Sequence, residues 1–149
     1  MDKEQYIQKD RSETRYYSDE KMTVLHRSDG PAILHESGYK CWYHYGELHR
    51  EDGPAIEGAH GYNYWFQYGK RHRLDGPAIE WTNGDKEWYV NGKLHRSDGP
   101  AVECTNGDRF WYRNGIMIGA LAGTGEFNAL GIPQTAPSTA IQVVKGTPV

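Results

Sequence analysis

Histidine, arginine and aspartate recur together four times, in the phrase His-Arg-x-Asp-Gly-Pro-Ala. The copies begin at His26, His49, His72 and His95, a constant step of 23 residues. Their aspartates are Asp29, Asp52, Asp75 and Asp98, and a histidine near a carboxylate is the material of metal sites and of acid–base catalysis. The arginines, Arg27, Arg50, Arg73 and Arg96, lie two residues before each aspartate. On an extended segment that spacing puts both on one side, either as a pair or as a row of guanidiniums for a carboxylate-bearing partner. Catalysis needs different groups converging on one pocket, whereas four copies along an array give four like surfaces. Two-stranded units lie roughly 9–10 Å apart, beyond a shared zinc sphere with ligand bonds of about 2.0–2.3 Å. The repeated His and Asp therefore read as structural groups that fix the Asp-Gly-Pro bend. No catalytic site, metal or cofactor is expected, and no nucleotide-binding glycine loop, zincin motif or nucleophile elbow occurs.

The elements that carry this phrase keep the same period. Trp42, Trp65, Trp88 and Trp111 form one column. Glycine forms two more, at 38, 61, 84 and 107 and at 46, 69, 92 and 115. A step without insertions means that each unit stacks on the next in one geometry. In the third unit Pro77 to Thr82 reads as a strand, Asn83-Gly84 as a type I′ turn, Asp85 to Val90 as the return strand, and Asn91-Gly92 as a second turn. Ser37-Gly38 and His60-Gly61 replace Asn-Gly in the first two units. Alternation puts Ile33, Ile56, Ile79 and Val102 in one column and sends the Trp column and its neighbour (Tyr43, Phe66, Tyr89, Tyr112) to opposite faces. The invariant Trp column is expected in the core.

The 149 residues include 11 Tyr, 5 Trp and 18 Gly, with 37% apolar residues and net charge −3. Rings, turn formers and few helix formers argue for an all-β fold of about eight strands, a single elongated sheet of hairpins that twists or curls. A short N-terminal cap (1–24) is expected before the four units (25–117). Within it the polar segment from Asp2 to Glu20 is open to a short helix or a frayed end, and Arg15-Tyr16-Tyr17 followed by Val24-Leu25 echoes the second half of a unit with a longer turn between. Residues 118–149 form a Gly/Ala/Thr/Pro-rich tail, open to capping the last unit, to packing on a partner or a sister subunit, or to staying loosely ordered. The net charge argues against nucleic acid. No segment is long and apolar enough for a membrane span, and no signal peptide opens the chain. The expected location is thus the cytoplasm, or inside an assembly made there. Cys41 and Cys104, in the first and fourth units, are expected as free thiols.

Trp88-Tyr89-x-Asn91-Gly92-Lys93-Leu94 resembles the MORN repeat, and the likeness covers residues 26 to about 117. The His-Arg-x-Asp-Gly-Pro-Ala phrase departs from the standard unit and is similar to repeats of uncharacterised phage and giant-virus proteins. The resemblance implies a sheet of consecutive hairpins and a role as an interaction or dimerisation scaffold. A non-enzymatic, virus-derived scaffold for a host or viral protein is therefore the leading expectation. A structural virion component docked by its tail, with self-association, and a small-ligand-sequestering protein are the alternatives. Partner contact is expected where the copies disagree, at Tyr45, Tyr64, Tyr68, Trp81 and Phe110, with the arginine row as a second candidate.

Overall fold

The computed structural model describes residues 5–123, which form β-strands and no helix. The N-terminal hairpin is β1 (Tyr6–Lys9) and β2 (Glu13–Tyr17). The first unit adds β3 (Ile33–His35), β4 (Lys40–Cys41), β5 (Tyr43–His44) and β6 (Glu47–Leu48). The second adds β7 (Ile56–Glu57), β8 (Asn63–Tyr64), β9 (Phe66–Gln67) and β10 (Lys70–Arg71). The third adds β11 (Ile79–Glu80), β12 (Lys86–Glu87), β13 (Tyr89–Val90) and β14 (Lys93–Leu94). The fourth consists of β15 (Val102–Glu103), β16 (Arg109–Arg113) and β17 (Ile116–Leu121).

One antiparallel sheet of 11 strands runs β1-β2-β3-β4-β7-β8-β11-β12-β15-β16-β17 and does not close into a barrel. Beside it lies a second row of short hairpins, β5-β6, β9-β10 and β13-β14. The return strand of each of the first three units is therefore split, where a continuous strand is expected from the sequence, while β16 of the fourth unit runs unbroken through Trp111. The split falls at tryptophan, because its neighbours pair with different partners. The N–H of Trp65 donates to Ala78 O in the long sheet, while its carbonyl accepts from His72 N in the hairpin row. The second row is itself continuous: Gly69 N donates to Leu48 O and Gly92 N to Arg71 O.

Register divides the long sheet into two chemically distinct faces. Ile33, Cys41, Ile56, Tyr64, Ile79, Glu87, Val102, Phe110 and Ala120 stand opposite one another in succession and share one face. The adjacent row, Lys40, Glu57, Asn63, Glu80, Lys86, Glu103 and Arg109, is a ladder of mostly alternating charge on the other. Tryptophan shares this second face, opposite the alanine of the next unit. Ala32, Ala55, Ala78 and Ala101 are fully buried, whereas the indoles expected in the core are half-buried. Cys41 and Cys104 are unpaired thiols, and burial pushes both up in pKa.

The two glycine columns do different work. Gly84 is left-handed (φ 92°), but Asn83 is not, and Gly84 N donates to Trp81 O. This turn is thus a type I turn closed by a left-handed glycine, not the expected type I′, which is why Ser37 and His60 are accepted at the Asn83 position. The type I′ turns are the others, where two consecutive residues have positive φ: Tyr45-Gly46, Tyr68-Gly69, Asn91-Gly92 and Asn114-Gly115.

Both ends of the array are made from abbreviated units. At the N-terminal end Tyr16 takes the tryptophan position, its N–H donating to Ala32 O and its carbonyl accepting from His26 N, and β1-β2 forms a hairpin where a short helix was the alternative. At the C-terminal end Trp88 faces Ala101 thirteen residues on, but Trp111 faces Gly119 only eight residues on. The His-Arg-x-Asp-Gly-Pro bend is missing there, and β17 runs through both rows with one register shift at Trp111/Tyr112. The sheet therefore extends to Leu121, and the rest of the expected tail, residues 124–149, lies outside the described residues.

Candidate interaction surfaces

The arginine column forms a latch in every unit. Arg50, Arg73 and Arg96 lie over the rings of Trp42, Trp65 and Trp88 at 3.9–4.0 Å, and Arg27 lies over Tyr16 at 4.1 Å. Each Nε donates to the aspartate two residues on, at 2.7–3.0 Å. Each Nη1 donates to the carbonyl of the following proline, at 3.1–3.4 Å. In three units Nη1 also reaches the ladder carboxylate, Glu57, Glu80 or Glu103, at 2.7–3.2 Å. Leu34 occupies that position in the first unit. The guanidinium beside each aspartate holds Asp29, Asp52, Asp75 and Asp98 below the usual carboxylate range.

The same latch explains the glycine of the Asp-Gly-Pro bend. A Cβ on Gly76 would stand 2.8 Å from Arg73 Cζ, and one on Gly53 2.9 Å from Arg50 Cζ. The guanidinium is held between an aromatic ring and a bare Cα. Glycine is needed here for close approach, not for positive φ. With side chains only 20–23% exposed, the arginines are engaged with their own unit.

The histidine column pins the next turn. His26, His49, His72 and His95 each accept, at Nδ1, the N–H of the first turn residue nineteen positions on, at 3.1–3.2 Å. That geometry places the ring proton on Nε2. In the third and fourth units the turn residue is Asn91 or Asn114, a residue type that tolerates left-handed backbone. In the first two it is Tyr45 or Tyr68, each at φ 46°. Tyr45 stacks on His26 at 4.0 Å, and Tyr68 lies against His49 at 4.2 Å. His44 bridges the two pairs, 5.1 Å from His26 and 5.7 Å from His49. Five rings, Tyr45, His26, His44, His49 and Tyr68, thus form one ribbon along the hairpin tips, with Tyr45 49% and Tyr68 59% exposed.

The remaining unit-specific aromatics lie on the face of the isoleucine column. Tyr62, Tyr64 and Trp81 pave it with ring centroids 5.2 and 5.3 Å apart. The Tyr62 ring occupies the space that a side chain at Gly58 would need. Trp81 Nε1 donates to Glu87 Oε1 at 2.8 Å, and the Tyr89 hydroxyl donates to Glu87 Oε2 at 2.9 Å. Burial, then the bond to Glu87, pushes Tyr89 up to about 12. Phe110 belongs to the same row, but Ile79, Glu87 and Val102 separate it from Tyr64.

Tyr45 and Tyr68 are therefore brought together on one surface, Tyr64 and Trp81 on a second, while Phe110 stands apart and the arginines sit within the latch. His44 and Glu87 escape a reading by repeats, since neither belongs to an invariant column. The Tyr-Gly pairs at 45–46 and 68–69, aligned with Asn-Gly at 91–92 and 114–115, were the available signal. Among the described residues no group of His, Cys, Asp and Glu is placed to hold a metal ion. No family model, curated protein or solved structure matches this chain.

Proposed function

We propose that this protein is a non-enzymatic scaffold whose partner is a protein that docks on the Tyr45–Tyr68 ribbon. The supporting observation is two exposed tyrosines in left-handed backbone, at positions where the third and fourth units use asparagine. That conformation costs a residue such as tyrosine about 1–2 kcal/mol. Backbone strain held in place by its surroundings clusters at functional sites, and exposed tyrosine is a preferred residue of protein interfaces. The resemblance to MORN repeats supports a scaffold role, and the likeness of the phrase to phage and giant-virus repeats supports a viral setting.

A photoreactive p-benzoylphenylalanine at position 68 tests this reading in expressing cells. It should cross-link one defined protein, and the same group at position 74, on the Arg-x-Asp bend, should not. Cross-linking of that protein from position 74 but not from 68 would overturn the assignment.

A further inference from the structure

The latch shows how this fold recognises a guanidinium, by an aromatic face with carboxylates at its edge. The same combination recurs at Trp81, on the opposite sheet face. Trp81 is 40% exposed, and its indole N–H is held by Glu87 at 2.8 Å. Tyr64 meets Trp81 edge-on at 70° and extends the apolar floor toward Tyr62.

Among the described residues no cation lies over Trp81 and no ion pair reaches Glu87. Lys86 belongs to the charge ladder on the other face, and Arg71 lies over Tyr89 at 5.3 Å, where its charge also reaches Tyr64, so it flanks the seat without stacking on the indole. Glu87 accepts two hydrogen bonds, one on each oxygen, and a carboxylate has about four acceptor sites. We infer that Trp81, with Glu87, is a seat for an arginine side chain of a partner polypeptide. The cation stacks on the exposed indole face, which is the strongest of the aromatic faces for this contact. The remaining acceptor sites of Glu87 then receive guanidinium N–H groups. This surface is distinct from the Tyr45–Tyr68 ribbon, so the two readings stand or fall separately.

Acetyl-triarginine amide is the probe, and acetyl-tricitrulline amide is its uncharged counterpart. Binding to the full chain is followed by the indole N–H resonances, with that of Trp81 assigned by its loss in Trp81→Phe. The arginine peptide should shift the Trp81 resonance saturably, and Glu87→Gln should weaken binding about fivefold or more. Unmoved resonances of the other indoles in the unliganded variant would show that it is folded. Tyr45→Asn/Tyr68→Asn should leave the response unchanged. Three results would each overturn the inference: no saturable Trp81 shift at about 10 mM peptide, where even a millimolar contact is mostly occupied; equal binding of the citrulline peptide; or unaltered affinity in Glu87→Gln.

Discussion

Replacing Gly76 by alanine isolates the latch with one methyl group. The new Cβ would stand 2.8 Å from Arg73 Cζ and 3.0 Å from Nε and Nη2, where ordinary contact begins at 3.4 Å. The guanidinium must therefore retreat by roughly 0.6 Å. It has little room to do so, because the Trp65 ring lies 4.0 Å away. A sideways move breaks bonds to Asp75 at 2.9 Å, Pro77 O at 3.1 Å and Glu80 at 3.2 Å. Loss of the ring contact removes about 0.5–1 kcal/mol. Loss of one or two partly screened charge-assisted bonds removes about 1–2 kcal/mol more. Gly76→Ala should thus destabilise by about 2 kcal/mol, lowering Tm by roughly 6 °C for a chain of this size.

The cycle with Arg73→Ala decides the cause. Gly76 does not have positive φ. Once the guanidinium is gone, alanine should be tolerated there or stabilise by about 0.4–1 kcal/mol, through a less disordered unfolded chain. Urea unfolding of the four proteins, followed by tryptophan fluorescence, gives the coupling energy. A value near 2–3 kcal/mol is expected. Equal costs of Gly76→Ala with and without Arg73 would refute the latch as the reason for this glycine.

Other expectations follow from the same geometry. Ala78→Val should cost about 1–3 kcal/mol in urea unfolding, since Ala78 is fully buried opposite Trp65. Asn91→Tyr should destabilise by about 1 kcal/mol, because it copies the strained turn of the first two units. For the latch aspartates the folded pKa lies below the unfolded value near 3.8, owing first to the arginine hydrogen bond. Their contribution is complete above that pH and is lost as pH falls through the lower folded values, so acid unfolding of Asp75→Asn should be less steep than that of the parent. Tyr89 behaves in the opposite sense. Its folded pKa is raised to about 12, so its contribution is complete below about 10 and is lost as pH rises through the folded value. Glu87→Gln should lower that titration, read by the phenolate absorbance, toward the ordinary range while burial keeps part of the rise.

The repeat made the hairpin array legible because a constant 23-residue step allows only one stacking geometry. The Arg–Asp pairing followed from a spacing of two on an extended segment. Two things escaped a reading of single strands. The break at Trp42, Trp65 and Trp88 arises because the N–H and C=O of each serve different rows, a fact of three-dimensional register. The left-handed tyrosines escaped because tyrosine is an improbable type I′ residue, and only its alignment with Asn91 and Asn114 reveals the strain. Glu87 stands in an otherwise apolar row, and nothing in its local sequence shows that Trp81 and Tyr89 satisfy it. The repeated arginines are engaged within their own units, and it is residues that vary between the copies that we propose for recognition.

Stability and binding measured together on Tyr45→Asn/Tyr68→Asn test that division most directly. Relief of about 1–2 kcal/mol of backbone strain per site is offset by the loss of ring contacts worth about 0.5–1.5 kcal/mol each. The variant should therefore be as stable as the parent or slightly more so, while its affinity for the protein cross-linked from position 68 falls at least about tenfold, in line with the loss of interface hot spots. Undiminished affinity in a variant of equal or greater stability would contradict the account.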